Sequence, residues 1–431
     1  MAKASSILAN ESKVSKQVHN FVSSFINTWW NTNKDLPDLK NITTYQHKKK
    51  QERLTNKFID SFVKSIKSFP TGEQNQKIWK KNIDILIDEF IDNSDLINKE
   101  DKNILFTDAL LKNTEAFVKE AQSFDSNMSI EHIDQAMRNL WIMNILQMLL
   151  GKSPRLTPSV FSYSMLYPYT DNFLDSNDIS KEEKLKISNT FEKRLRGENP
   201  KPTSEYEKQL FNLIDKIESE FDRSKDIEVF QSLLCIQKAQ IQSLMQQEKI
   251  TGPYERDILG ISIEKGGSSV LADAYIVNGT LTEEEAKFFF GYGILLQICD
   301  DLQDAKEDLK NGHMTIISQL ASKWPLDNVT NALINFTFDL LDNANFLSPP
   351  NIDSLKELIR KNCLQLILFA IAKNKKLYSK DYFKIVQAYF PYTPRYMRNL
   401  YNRLRKKYSN IKESYNGVET SKIILYALNP K

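Results

Sequence analysis

Ile227, Phe230, Leu234, Ile241 and Met245 recur at intervals of three, four and seven residues. That period puts them on one face of an α-helix and argues against a strand, whose side chains alternate faces at every residue. Similar spacing fills most of the chain. Its segments are long and poor in glycine, with 12 in 431 residues, and the prolines gather between them. Breaks are expected at 69–72 (FPTG), 151–158 (GKSPRLTP), 197–204 (GENPKPTS), 251–255 (TGPYE), 324–327 (WPLD), 347–353 (LSPPNID) and 389–394 (YFPYTP). No series of short alternating runs joined by Asn-Gly or Asp-Gly turns is present, so strands have little support. The expected fold is all-α. Helix-start signals agree, as in "TEEE" at 282–285, where Thr282 is the N-cap and Glu285 stands at the third helical position.

With 41% hydrophobic residues the chain can bury a large core. A polar tail over residues 1–18, N-terminal helices over 19–150 and a main domain over 151–425 are the expected divisions. The formal charge is only +3, from 58 Lys and Arg against 55 Asp and Glu, which gives no sign of a nucleic-acid partner. The most basic run, "YMRNLYNRLRKKY", reads first as a solvated helix face, with a phosphate-rich surface as the alternative. Cys235, Cys299 and Cys363 are odd in number and far apart, which fits a reducing compartment and offers no metal-ligand spacing. There is no apolar leader and no apolar run of the roughly 20 residues that span a bilayer, so a cytoplasmic, soluble protein is expected.

Chemistry concentrates in two acidic clusters. In "LLQICDDLQDAKEDLKNGHM" (295–314), Asp300, Asp304 and Asp308 fall at i, i+4 and i+8 on one helix face, with Asp301 at its edge. Like charges at that spacing cost a helix a few tenths of a kcal/mol per pair, a penalty that a bound cation reverses. Calcium loops place their ligands at alternate positions around a central glycine, which is missing here. Mg²⁺ suits the arrangement better, because it takes one or two carboxylates and leaves its other positions to water and phosphate oxygens. In "YPYTDNFLDSND", Asp171 and Asp175 repeat the i, i+4 spacing behind Tyr163, Tyr167 and Tyr169. Two such pairs, facing each other at the mouth of an apolar helical barrel, would hold Mg²⁺ ions and through them a diphosphate. The plain alternative for either cluster is a solvated acidic surface.

These residues resemble the motifs of the class I isoprenoid synthases. "DNFLD" is similar to the first aspartate-rich motif of that family, with Asn172 where many members have a second Asp. "LLQICDDLQDAKED" is similar to the second in two registers: "DDLQD" as in polyprenyl diphosphate synthases, or the squalene and phytoene synthase pattern, with Asp304 and Asp308 as the motif acids. "EKGGSSVLADA" is similar to a segment whose lysine, here Lys265, contacts diphosphate. "YPYTDNFLD" followed by "RLRGENP" most resembles large bacterial terpene synthases of the tetraprenyl-curcumene synthase type. The motif-bearing likeness covers about residues 155–320.

The resemblance implies an isoprenoid synthase-type helical barrel with extra N-terminal helices. It implies Mg²⁺ as cofactor, in a cluster of three, and a prenyl diphosphate as substrate. It also implies ionisation by Asp171, Asp175, Asp300 and Asp304, with Asp301 and Asp308 as further metal ligands. Lys265 and the arginines Arg194, Arg196 and Arg395, the last in a "PRY" run with Tyr396, are the expected diphosphate contacts. Phe289 and Tyr163, among Phe161, Phe288, Phe290 and Tyr292, are expected to face the carbocation. A homodimer is compatible with the likeness. Gly266 and Gly267 would weaken a helix by about 1 kcal/mol each, and so call for a close helix approach. His313 reads as a helix-end cation, Asp178 as a turn residue, and Gln240 and Gln247 as a solvated face.

Chain elongation needs a Gly-Gly-Lys-x-x-Arg-Pro segment and paired arginines, and neither is found at a suitable place. Protonation-initiated cyclisation needs an Asp-x-Asp-Asp motif, which is absent. A terpene synthase acting on one prenyl diphosphate is the expected activity. Prenyl transfer, by elongation or head-to-head coupling, and a non-catalytic helical binding protein are the alternatives.

Overall fold

The computed structural model describes residues 12–125, 128, 130–176, 178–247 and 257–428. It is all-α, with eighteen α-helices and a single minimal hairpin among the described residues. The expected breaks at 69–72, 151–158, 197–204, 324–327, 347–353 and 389–394 each separate consecutive helices or helical turns. The break at 251–255 lies outside the described residues. No described helix is long and apolar enough to cross a membrane.

The chain forms two compact units, and each is discontinuous in sequence. The first takes residues up to Leu36 and Phe117–Ile352; the second takes Pro37–Ala116 and Asp353–Lys431. Residues 19–150, expected together as N-terminal helices, are therefore shared between the two. Helix α1 (Lys13–Asn31) also starts inside the expected tail. Ser12 caps it by accepting from the Ser15 amide, and Val14 and Val18 are buried on its inner face.

The remainder of the first unit comprises the end of α5 (Asp108–Phe124), then α6 (Ile130–Leu149), α7 (Pro158–Asp175), α8 (Lys181–Leu195) and α9 (Glu205–Glu218). Helices α10 (Ile227–Ser243), α11 (Ile258–Asn278), α12 (Glu283–Asn311), α13 (Ile316–Ala321) and α14 (Asp327–Asp342) follow. Helix α11 is buried on every side, as expected of a segment apolar all round, and packs against α1, α6, α7, α10 and α12. Its crossing with α12 depends on glycine. A Cβ on Gly293 would sit 2.0 Å from the Gly266 carbonyl oxygen, and one on Gly267 would enter the Phe290 ring at 2.4 Å. The close approach expected from Gly266 and Gly267 is thus present. The predicted capping box at Thr282 and Glu285 opens α12.

In the second unit, α2 (Tyr45–Lys67), α3 (Glu73–Asn93) and α4 (Lys99–Leu105) join most of α5. Helices α15 (Ile352–Lys373), α16 (Lys380–Val386), α17 (Pro394–Tyr408) and α18 (Thr420–Leu428) complete it. Ile66, Phe69, Trp79, Ile83 and Ile423 build one core cluster of this unit. Strands β1 (Ser414–Tyr415) and β2 (Val418–Glu419) turn through Asn416 and Gly417, both at positive φ, the backbone that Asn-Gly adopts most readily in a two-residue hairpin.

Candidate active site

Asp171 and Asp175 stand in the last turn of α7, where the helix dipole disfavours negative charge. Each has a compensating partner. The Lys265 ammonium, reaching from α11, lies 2.8 Å from Asp171 Oδ1. Gln247 Nε2, just past α10, donates to Asp175 Oδ1 at 2.9 Å. Lys265 is only 8% exposed. Burial alone would favour its neutral form, but Asp171, Tyr167 and Asp175 outweigh that and raise its pKa above the ordinary lysine value.

The second cluster arrives from α12. Asp300 is pushed up to about 6, first by burial, then by repulsion from Asp304 and Asp171, with Lys265 opposing. The Lys265 charge also acts on Asp175, whose pKa burial and Asp171 nevertheless raise. The two acidic motifs, 129 residues apart in sequence, therefore meet around one buried lysine. Asp301 is pushed up to about 7, chiefly by burial, against a 2.9 Å hydrogen bond donated by Gln297 Nε2 to its Oδ1. Its Oδ2 is buried without a hydrogen-bond partner. Asp308 lies 3.5 Å from His313 Nδ1 and raises the imidazole pKa, in keeping with a cationic His313 at the helix end.

A buried carboxylate oxygen without a donor is a group that a cation would satisfy. Among the described residues, no three His, Cys, Asp or Glu side chains form a ready metal cage. Mg²⁺ does not require one, because water and phosphate oxygens fill most of its octahedron. The donor set of Asp171, Asp175, Asp300 and Asp304 is all oxygen, so it fits a hard divalent cation. Lys265 brings a buried ammonium that faces the same groups.

The other expected contacts are placed elsewhere. Arg194 is buried and committed to Glu218, at 2.9 Å from Nη1, and to Asp215, at 2.5 Å from Nη2. It locks α8 onto α9. Arg196 makes an exposed i, i+4 pair with Glu192. Arg395 and Tyr396 belong to the second unit, where they line a cleft between α2 and α17. Asn172 donates to Gln135 at 2.9 Å, a use unrelated to the acid it replaces in the motif. Asp178 is exposed in the turn after α7, as expected.

Tyr163 is buried and donates to the Ser269 carbonyl at 3.1 Å. With Leu166, Tyr167, Phe191, Gln237 and Gln240 it lines a cavity of about 20 Å³, room for a single water. Phe289 is fully buried, and Phe290 packs on Phe21 and Phe25 of α1, so both belong to the core beside α11. The reading of Gln240 as solvated is corrected, whereas Gln247 is exposed as expected. Gln240 is 2% exposed, and its Nε2 lacks a partner. Tyr167 and Gln247 are the site residues whose roles sequence spacing did not show. Comparison with family models, with curated proteins and with solved structures finds no match for this chain.

Proposed function

We propose that this protein is a Mg²⁺-dependent class I terpene synthase that ionises a prenyl diphosphate. One observation carries the reading: both acidic motifs converge on the buried Lys265 beside the α11–α12 crossing. A non-catalytic helical protein with incidental acidic faces has no need of that convergence, nor of burying Lys265 and Asp301 among the acids. Mg²⁺ held by Asp171, Asp175, Asp300 and Asp304, with Asp301 or Asp308 completing the set, would supply Lewis-acid neutralisation of the leaving group. The C–O bond breaks heterolytically, and its electron pair departs with the diphosphate. Lys265 meets the charge growing on the phosphate oxygens. The allylic cation then loses a proton to the released diphosphate, giving a hydrocarbon, or captures water whose proton passes to the same diphosphate, giving an alcohol.

The hydrocarbon tail has to enter beside Tyr163 and Tyr167. The cavity there, about 20 Å³, is far smaller than a prenyl chain. Substrate entry therefore requires α8 and α10 to move apart, and the unpaired amides of Gln237 and Gln240 mark where that packing is least satisfied.

The test is a product screen on the full chain. Prenyl diphosphates of increasing length are incubated with and without isopentenyl diphosphate, in Mg²⁺ or EDTA. A hydrocarbon or alcohol from a single substrate, with diphosphate release abolished by EDTA, is the expected result. Longer diphosphates made only with isopentenyl diphosphate would assign prenyl transfer instead. No Mg²⁺-dependent diphosphate release from any substrate would favour the binding protein.

A further inference from the structure

The second unit carries a basic face that the proposed reaction leaves unused. Helix α17 has six Lys and Arg and no Asp or Glu. Helix α2 has seven Lys and Arg against two carboxylates. The two helices lie side by side: Tyr396 donates to Asn56 at 2.7 Å, and Lys407 reaches Asp60 at 2.8 Å. Both carboxylates of α2 are already engaged, Glu52 by Lys49 and Thr393, and Asp60 by Lys407. Lys48 is the one buried cation of the set.

What remains is cationic and faces water. Arg53 and Lys57 fall at i, i+4 on the exposed side of α2, and Arg395, Arg398, Arg405 and Lys406 are exposed on α17. Among the described residues, Arg53, Lys57, Arg398 and Arg405 have no ion-pair partner. Between the helices lies a cleft of about 300 Å³ lined by Lys49, Arg395, Tyr396, Arg403 and Thr393, and by Glu52, whose carboxylate Lys49 and Thr393 engage. Tyr401 and Tyr408, 73% and 51% exposed, flank the arginines on α17. The apolar residues of that helix are few, and Met397 is buried, so it has no apolar face to insert into a bilayer.

We propose that the α2–α17 face is a docking surface for membranes rich in anionic phospholipid, held by charge and with a phosphate headgroup in the cleft. Charge complementarity carries the assignment. Six unpaired or partly paired cations on two adjacent helices oppose a surface of negative headgroups, and the tyrosines suit the headgroup level. Each Lys or Arg near such a surface contributes about a fivefold factor in binding, which screening removes at high salt. The inference does not depend on the reaction proposed for the first unit.

The experiment is vesicle co-sedimentation of the full chain. Phosphatidylcholine vesicles are compared with vesicles in which a third of the lipid is phosphatidylglycerol. Binding is expected only to the anionic vesicles, falling steeply as salt is raised. Arg53→Glu with Lys57→Glu, or Arg398→Glu with Arg405→Glu, should weaken it by at least tenfold. Lys186→Glu with Lys193→Glu, exposed on α8 in the first unit, should leave it within about twofold. Circular dichroism and melting confirm that every variant folds. Equal binding to neutral vesicles, no vesicle binding, or equal loss in the α8 control would overturn the proposal. Tight binding of a single-stranded oligonucleotide lost in the same variants, without vesicle binding, would also overturn it and assign the face to nucleic acid. Inorganic phosphate that displaces the chain from vesicles at millimolar concentration would support the headgroup cleft; no displacement would exclude the cleft from the docking.

Discussion

Replacing Asp301 with asparagine should stabilise the metal-free protein at alkaline pH and do so less at acid pH. Asp301 is 5% exposed, one of its oxygens has no donor, and its pKa is about 7. A carboxyl moved from 3.8 to about 7 on folding prefers its protonated form in the native state by about 4 kcal/mol. The sign follows from linkage. A folded-state pKa above the unfolded value gives stability that is complete below about pH 4 and is lost as pH rises through 7. By pH 8 the wild type carries the whole penalty, whereas Asp301→Asn has no charge to bury. The amide leaves its own polar atom short of a partner at a cost of about 1–3 kcal/mol, so the net gain at pH 8 is about 2 kcal/mol. Near pH 5 most of the native Asp301 is protonated, and the gain disappears. Scanning calorimetry in EDTA at pH 5 and pH 8 reads this directly. A variant less stable than wild type at pH 8, or a difference that does not change with pH, would refute the reasoning. Saturating Mg²⁺ should stabilise the wild type more than the variant, because Asp301 is among the carboxylates offered to the metal.

Three further outcomes are expected. Gly293→Ala should destabilise the first unit by more than 3 kcal/mol or prevent its folding, since the new Cβ meets backbone 2.0 Å away, and thermal melting will show it. Arg194→Ala should cost about 1–3 kcal/mol of stability, because Glu218 keeps Arg223 and Asp215 is exposed, yet keep kcat within a few fold where the protein remains folded. Lys265→Met should lower diphosphate release by about 100-fold or more, the scale of losing one fixed charge at a developing anion. It should also raise the pKa of Asp300, readable by NMR titration, because Lys265 now opposes that rise.

Much of this was legible in the sequence where it depends on local spacing. The 3.6-residue period gave the helices, and proline-bearing runs marked their ends. The i, i+4 acids gave the shared faces of α7 and α12. Adjacent glycines after Lys265 foretold a close crossing, because only a missing Cβ justifies their helical cost. Gln247 and Tyr167 were not legible. A glutamine that turns toward Asp175 across 72 residues has no local signature, and Gln240 sits in a run whose polarity reads as exposed. Arg194 looked available because its partners, Asp215 and Glu218, lie on another helix. The two interleaved units were invisible for the same reason, since composition does not change at Leu36 or Ile352.

That interleaving has a consequence during synthesis. The apolar face of α1, including Phe21 and Phe25, is made well before the helices that cover it. Its partner Phe290 follows roughly 265 residues later, which at typical elongation rates is a wait of about 15–50 s. Until α10 is made, roughly 200 residues after Phe25, α1 lacks the helices it packs against most, while all of α2 to α9 is being made. A nascent chain of this design needs a chaperone or a nearby provisional contact for its first helix.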